Sequence, residues 1–352
     1  MRNTEAPNPV LVEVLRGKIV ESRHAGAIAI ADADGRLVLA LGDVARLVFP
    51  RSAVKAMQAI PLVESGASDA FGLDDAELAV ACASHSGDLV HVEAVRSLLA
   101  KAGLDESYLA CGAHWPVSDK AMRELMRAGR APQAIHNNCS GKHAGMLAAA
   151  VHLGFEPRGY ERPEHPLQVM IGRIISETCG IALARDGIGV DGCSVPTWPL
   201  PLAALARGFA RLGTGEGLTP ARAEAARRLC HACFAKPVLV AGEGRFDTIS
   251  MLAPDLFVKG GAEGVHCAAL PGLGLGIALK IDDGAKRGTE RVLAEVIAAL
   301  LPKARRALAE PLEGELFNWR GIEVGRIVAA PALVDGLAGL ELAPRRQAGA
   351  AE

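Results

Sequence analysis

The sequence predicts an α+β fold: one antiparallel sheet built from N- and C-terminal strands, with a helical lobe inserted between them. Three observations carry this. Residues 10–41 alternate short apolar runs with turns, residues from Ser52 to about Lys236 carry helix-length apolar runs bounded by capping residues, and strand-length runs return after Pro237. Residues 1–48 and 237–343 are therefore assigned to a sheet-containing α/β lobe, 49–236 to a mainly helical lobe, and 344–352 to a flexible tail. A cleft is expected between the lobes.

The first apolar runs are Val10–Leu15, Ile19–Glu21, Ala27–Ala31 and Val38–Leu41, broken at Arg16-Gly17, His24-Ala25-Gly26 and Asp34-Gly35. This is a meander of antiparallel strands, and Asp34-Gly35 is its best hairpin turn. Helices begin at Ser52, just after Pro50, and Pro61 is expected to kink or shorten the first beyond its second turn. Asp74-Asp75 opens the next, Asp88 opens one that closes at Gly103, and Ser118-Asp119 caps one that ends at Gly129. Ser140–Leu153, His165–Cys179, Leu202–Leu212 and Thr219–Phe234 continue the series. Strands are then expected at Leu256–Lys259, Gly264–Leu270 and Leu275–Ile281, followed by a helix at Thr289–Leu301 and a strand near Val324–Val328. Pro344–Glu352 reads as a frayed tail.

A chain of 352 residues, half of them hydrophobic, can bury a large core, and its formal net charge is only -2. That balance provides no basic footprint for nucleic acid or an anionic membrane, so a small molecule is the expected partner. No apolar stretch reaches the roughly twenty residues of a membrane span, and Met1 to Pro9 is polar rather than a secretory leader. A cytoplasmic location is expected, with all eight cysteines reduced.

Ser52-Ala53-Val54-Lys55 has the spacing that puts a hydroxyl and an amine on one helix face, in contact. A serine attacks a carbonyl near neutral pH only when a base takes its proton, and a lysine serves only when burial or a second cation keeps it neutral. The motif is short, and about one Ser-x-x-Lys is expected by chance in a chain of this length. Its context adds weight. Ser84-His85-Ser86-Gly87 follows an apolar run, and Lys259-Gly260-Gly261 ends a strand bordering the cleft, the order used by penicillin-recognising serine enzymes. In that arrangement Ser52 attacks, Lys55 accepts its proton, Lys259 keeps Lys55 neutral, and Ser84 relays a proton to the leaving amine. Backbone N–H groups of Ser52 and of a residue beside Gly261 would receive the oxyanion. The plainer alternatives are a helix-terminal hydroxyl for Ser84 and a solvated strand end for Lys259.

A second dense stretch is His136-Asn137-Asn138-Cys139-Ser140-Gly141-Lys142-His143, with Asp191-Gly192-Cys193-Ser194 as a later counterpart. Two thiolates with a nearby nitrogen suit zinc, although Cys-x-x-Lys is not a usual ligand spacing. Cys230 and Cys233 lie on one helix, where core packing is the better reading. Gly272 to Gly276 falls between strands and makes a poor phosphate cradle, and His165 and His266 read as structural or exposed.

Together with Val10 to Val14, Glu21 to His24, Arg51 to Lys55, Ser84 to Gly87 and Asp191 to Pro196, the run from His136 to His143 resembles the rhizobial-type L-asparaginases, the asparaginase II family. The resemblance covers nearly the whole chain. It implies hydrolysis of L-asparagine to L-aspartate and ammonia on a fold similar to serine β-lactamases and glutaminases, in a homodimer. It also implies Ser52 as nucleophile beside Lys55, Ser84 with Lys259 as a second pair, and zinc on Cys139, Lys142 and Cys193 with Asp191 behind. A lysine ligates only as the neutral amine, so zinc would displace its proton. Arg51, His136, Asn137 and Asp191 are the candidates for substrate contact. Two alternatives stand beside this reading: a penicillin-recognising hydrolase or peptidase, and a non-catalytic amino-acid sensor.

Overall fold

The computed structural model describes residues 7–184 and 187–340; the expected tail at 344–352 and the lobe boundary at 343 lie outside the described residues. Eight strands form the main sheet: β1 Val10–Arg16, β2 Ile19–Asp32, β3 Leu37–Leu41, β4 Phe257–Gly260, β5 Val265–Leu270, β6 Leu275–Ile281, β7 Glu315–Phe317 and β8 Glu323–Ala329. Their order is β7-β8-β1-β2-β6-β5-β4, with β3 also paired to β2. Every pairing is antiparallel. The two ends of the chain therefore meet in one sheet, with Val12 opposite Ala329 and Ile30 opposite Ile277.

One sequence expectation is corrected here. The break at His24-Ala25-Gly26 is not a turn, because β2 runs through it without interruption. Its first half pairs with β1 and its second half, from Gly26, with β6. The glycine marks this change of partner: a Cβ at Gly26 would collide with the Lys280 carbonyl. Burial changes there too, from alternating residues to the unbroken buried run Ala27–Ala31.

Four helices position the site: α1 Lys55–Glu64, α2 Ser140–His152, α3 Leu202–Thr214 and α4 Lys286–Leu300. α3 packs on β2, β5 and β6, while α4 packs on β1, β5, β6 and β8. Every residue of β5 is buried, so both sheet faces are covered. Pro61 does not break α1. The helix ends at Glu64, where the Ser65 N–H donates to the Pro61 carbonyl.

Three of the expected caps are in place, while Asp88 stands at the N-cap of the helix Leu89–Lys101 without a side-chain capping bond. Asp74 forms a capping box with Glu77, Ser118 accepts from Ala121 N–H, and Thr219 accepts from Arg222 N–H. His165 also caps a helix, Pro166–Cys179. All eight cysteines are free and buried, including Cys230 and Cys233 on their helix. Among the described residues no helix is long and apolar enough to cross a membrane.

Candidate active site

Two lysines with no solvent exposure, Lys55 and Lys259, converge on one hydroxyl. Lys55 Nζ lies 2.9 Å from Ser84 Oγ and donates to the Ala83 carbonyl at 2.6 Å. Lys259 Nζ reaches the same Oγ at 3.0 Å and donates to the Gly260 carbonyl at 3.0 Å. Ser84 follows the helix Asp75–Ala81 and is anchored by its N–H on the Val240 carbonyl. Among the described residues nothing else accepts the Ser84 hydroxyl proton, and two ammonium groups would both donate. At least one lysine is therefore neutral if that proton is to be satisfied.

The environment favours neutrality. Burial lowers the Lys55 pKa, helped by the Lys142 cation and opposed by the Cys139 thiolate. Burial likewise brings Lys259 down to about 8, with Lys55 and Arg245 reinforcing it and the Asp247 carboxylate opposing.

The expected contact between Ser52 and Lys55 is corrected by this geometry. Ser52 sits in a 3-10 turn, Arg51–Val54, and α1 begins only at Lys55. The two residues thus do not share one continuous α-helical face, and Lys55 Nζ is bonded to Ser84 and Ala83 instead. Among the described residues no hydrogen bond joins Ser52 Oγ to either lysine. Ser52 nevertheless lines the same cavity as Ser84, about 260 Å³ in volume, with Asn138, Arg245, Asp247 and Gly261 also on its wall. The oxyanion expectation beside Gly261 is narrowed: the Gly260 N–H donates to Asp247 and the Gly261 N–H to the Val265 carbonyl, which leaves Ala262 as the neighbour whose N–H could serve. Gly261 is packed close to the Arg51–Val54 turn, and a Cβ there would lie 2.7 Å from the Pro50 carbonyl.

Cys139, Lys142 and Cys193 do converge. Lys142 Nζ donates to Cys193 Sγ at 2.9 Å, and the Cys139 and Cys193 thiol groups influence each other's ionisation. Cys193 and the neighbouring lysines hold Cys139 well below the ordinary thiol range, while Cys139 and burial raise Cys193. Among the described residues no group of three or more histidine, cysteine and carboxylate side chains could hold a metal, so a cation here would need the Lys142 amine as a ligand. Two buried sulfurs are donors that zinc accepts, but Lys142 could join them only by giving up its proton, which burial would loosen but the Cys139 and Cys193 charges hold on.

Arg51 and Asp191 stand beside this trio. Arg51 Nε donates to Asp191 Oδ1 at 2.8 Å. Burial tends to raise the Asp191 pKa, but the Lys142 and Arg51 charges outweigh it and the net shift is downward. Arg51 occupies the left-handed region, φ 51°, a strained conformation for a side chain of this size. His136 and Asn137 are not brought to the cavity. The His136 ring accepts the Gln133 N–H, and Asn137 donates to the Cys111 and Gly112 carbonyls while accepting the Cys139 N–H. Both brace the loop that carries Cys139. It is the next residue, Asn138, that lines the cavity.

Asp247, His266 and Arg245 escaped sequence reasoning as site residues. Asp247 accepts from His266 Nε2 at 2.8 Å and from the Gly260 N–H at 2.9 Å, and lies 3.7 Å from Lys259 Nζ. Burial alone would raise its pKa, but the His266 and Lys259 charges hold it well below the carboxylate range. His266 is buried against it rather than exposed. Asp247 lies on a five-residue helix, Phe246–Ser250, with Arg245 as its N-cap, too short for any periodic signal.

The sequence profile of the family described as L-asparaginase II matches residues 12–329. The chain belongs to the L-asparaginase II family. Membership makes it an amidohydrolase, and all the residues above lie within the matched span. Among solved structures, a β-lactamase from Mycobacterium bovis is 15% identical, with a TM-score of 0.42, covering 79% of this L-asparaginase II chain and 94% of its own. A simvastatin synthase from Aspergillus terreus is 11% identical, with a TM-score of 0.38 and coverages of 73% and 86%. A glutaminase from Bacillus subtilis, in covalent complex with 5-oxo-L-norleucine, is 14% identical, with a TM-score of 0.33 and coverages of 81% and 86%. No curated protein matches the chain in sequence.

Proposed function

We propose that this amidohydrolase converts L-asparagine to L-aspartate and ammonia through a serine nucleophile served by the two buried lysines. The observation that supports it is Ser84 Oγ between Lys55 and Lys259, on the wall of a cavity that Ser52 shares. Ser52 is the more exposed hydroxyl and attacks the side-chain amide carbon. Its proton passes through Ser84 to the neutral lysine. The carbon–nitrogen bond then breaks, and the nitrogen leaves as ammonia carrying that proton. Water attacks the resulting acyl-serine, releases L-aspartate and restores the hydroxyl.

The same observation favours one variant of this reading, in which Ser84 itself attacks, since it alone touches both amines. Ser52→Ala should lower kcat by at least about 10³-fold if Ser52 is the nucleophile, measured as ammonia release from asparagine. A diazoketone analogue of asparagine followed by peptide mass mapping decides between the serines. Label on Ser52 supports the first reading, label on Ser84 the second, and full activity of both alanine variants removes the mechanism.

The same proposal places zinc on Cys139, Cys193 and the neutral Lys142 amine, with Asp191 and Arg51 bracing them. When bound, zinc would supply a Lewis-acid charge beside the substrate cavity. The homodimer belongs to this proposal too, and sedimentation velocity tests it: a monomer at micromolar concentration would remove it.

A further inference from the structure

The charged side chains lining the cavity are not equally committed. Asp247 is held by His266, Lys259 and the Gly260 N–H. Lys286 pairs with Glu290 at 3.0 Å. Arg51, next to Ser52 in sequence but not on the cavity wall, is bound to Asp191. Two charges are left. Arg245 donates to the Ser84 carbonyl at 2.7 Å and the Ala241 carbonyl at 3.2 Å, yet among the described residues it forms no salt bridge. Glu263, exposed at the cavity rim, forms none either, although the Lys280 ammonium feels its charge.

We infer that Arg245 binds the α-carboxylate and Glu263 the α-ammonium of the amide substrate, so that the cavity reads both ends of a zwitterion. This rests on the amidohydrolase reading and deepens it by naming the residues that select α-amino acid amides. A carboxylate without a counter-cation is disfavoured in a partly enclosed cavity, and a guanidinium with unpaired N–H groups is the side chain best shaped to hold one. One Arg245 nitrogen is fixed on the backbone of Ser84 itself. A carboxylate bound to the rest of the fork would therefore be registered against the Ser84 hydroxyl and the two lysines.

Glu263 is held in an unusual backbone state, φ 57°, in the loop between β4 and β5. That loop also carries Gly261, which packs against the Arg51–Val54 turn. Glu263 is exposed, so an ammonium bound there would sit at the mouth of the cavity, whereas the amines of Lys55 and Lys259 are fully buried. The uncommitted charges are thus one cation and one anion, the complement of an α-amino acid.

Calorimetric titration in the Ser52→Ala, Ser84→Ala background, which lacks both candidate nucleophiles while keeping the Ser84 carbonyl that Arg245 holds, tests the inference without turnover. The probes are L-asparagine, succinamate, which lacks the α-ammonium, and 3-aminopropanamide, which lacks the α-carboxylate. Arg245→Met should weaken asparagine and succinamate by about ten- to hundredfold and 3-aminopropanamide far less, with Arg245→Lys recovering part of the asparagine affinity. Glu263→Gln should weaken asparagine and 3-aminopropanamide and spare succinamate. Equal weakening of all three ligands by either variant, or unchanged asparagine affinity, overturns the inference. Ammonia release by the unsubstituted protein is scored separately, so loss of the hydrolase reading and loss of this one give different results.

Discussion

At the scale of single residues, Asp247 governs the lysine that the proposed mechanism needs neutral. Its carboxylate is the main influence raising the Lys259 pKa, against burial and the Lys55 and Arg245 charges, and the balance stands at about 8. Activity that needs the free amine should therefore rise through about pH 8. Asp247→Asn removes the opposing anion while leaving an oxygen for the Gly260 N–H. Lys259 should then lose its proton more readily, and the ascending limb of kcat/KM should move down by about one pH unit or more. A limb that stays in place would separate Asp247 from the chemistry. Stability follows the same proton. Because the folded pKa lies below the ordinary lysine value of 10.5, burial of the charged amine is a cost fully present below about pH 8 and relieved as pH rises toward 10.5. The sequence showed the lysine and not its regulator: Lys259 stood in a recognisable Lys-Gly-Gly, whereas Asp247 reaches it only through tertiary packing.

At the scale of elements, the helices and strands bordering the site were largely legible because their signals are local. Asp74, Ser118 and Thr219 cap where an oxygen was needed, and β5 and β6 pair across the expected Pro271 to Gly274 turn. Signals that depend on a partner were misread. Gly26 looked like a turn because glycine ends strands, but the Lys280 backbone demands a small residue there. The Arg51–Val54 turn was read as α-helix because Ser52 and Lys55 fit its spacing, while the chain adopts 3-10 geometry and sends Lys55 to Ser84. Gly276 shows how tightly an element contact can be set. Any Cβ on it would overlap the Ala206 carbonyl and the Ala210 nitrogen of α3. Gly276→Ala should push α3 off the sheet and cost about 1–3 kcal/mol or more, read as a lower urea midpoint with unchanged slope. A stability equal to the parent would mean α3 shifts freely.

At the scale of the whole molecule, the sheet is one structure closed by both chain ends, and the site lies where the middle of the chain meets it. Cys139 and Lys142 come from the start of α2, while Cys193 and Asp191 come from a loop far along the chain, near the short strand Pro196–Thr197. An ion held by these groups would tie segments that the unfolded chain keeps apart, so its binding energy would appear as folding energy. Zinc in thousandfold excess over its dissociation constant would add about 4 kcal/mol. The thermal midpoint of the zinc-loaded protein should exceed that of chelator-treated protein by several degrees. Cys139→Ser should remove both the shift and the metal measured by elemental analysis. Buried as Cys139 and Cys193 are against Lys142, they already have a cation for their charge. The alternative outcome is therefore physically distinct: identical midpoints with and without zinc, and no bound metal, would mean that the lysine ammonium permanently occupies the place assigned to the ion.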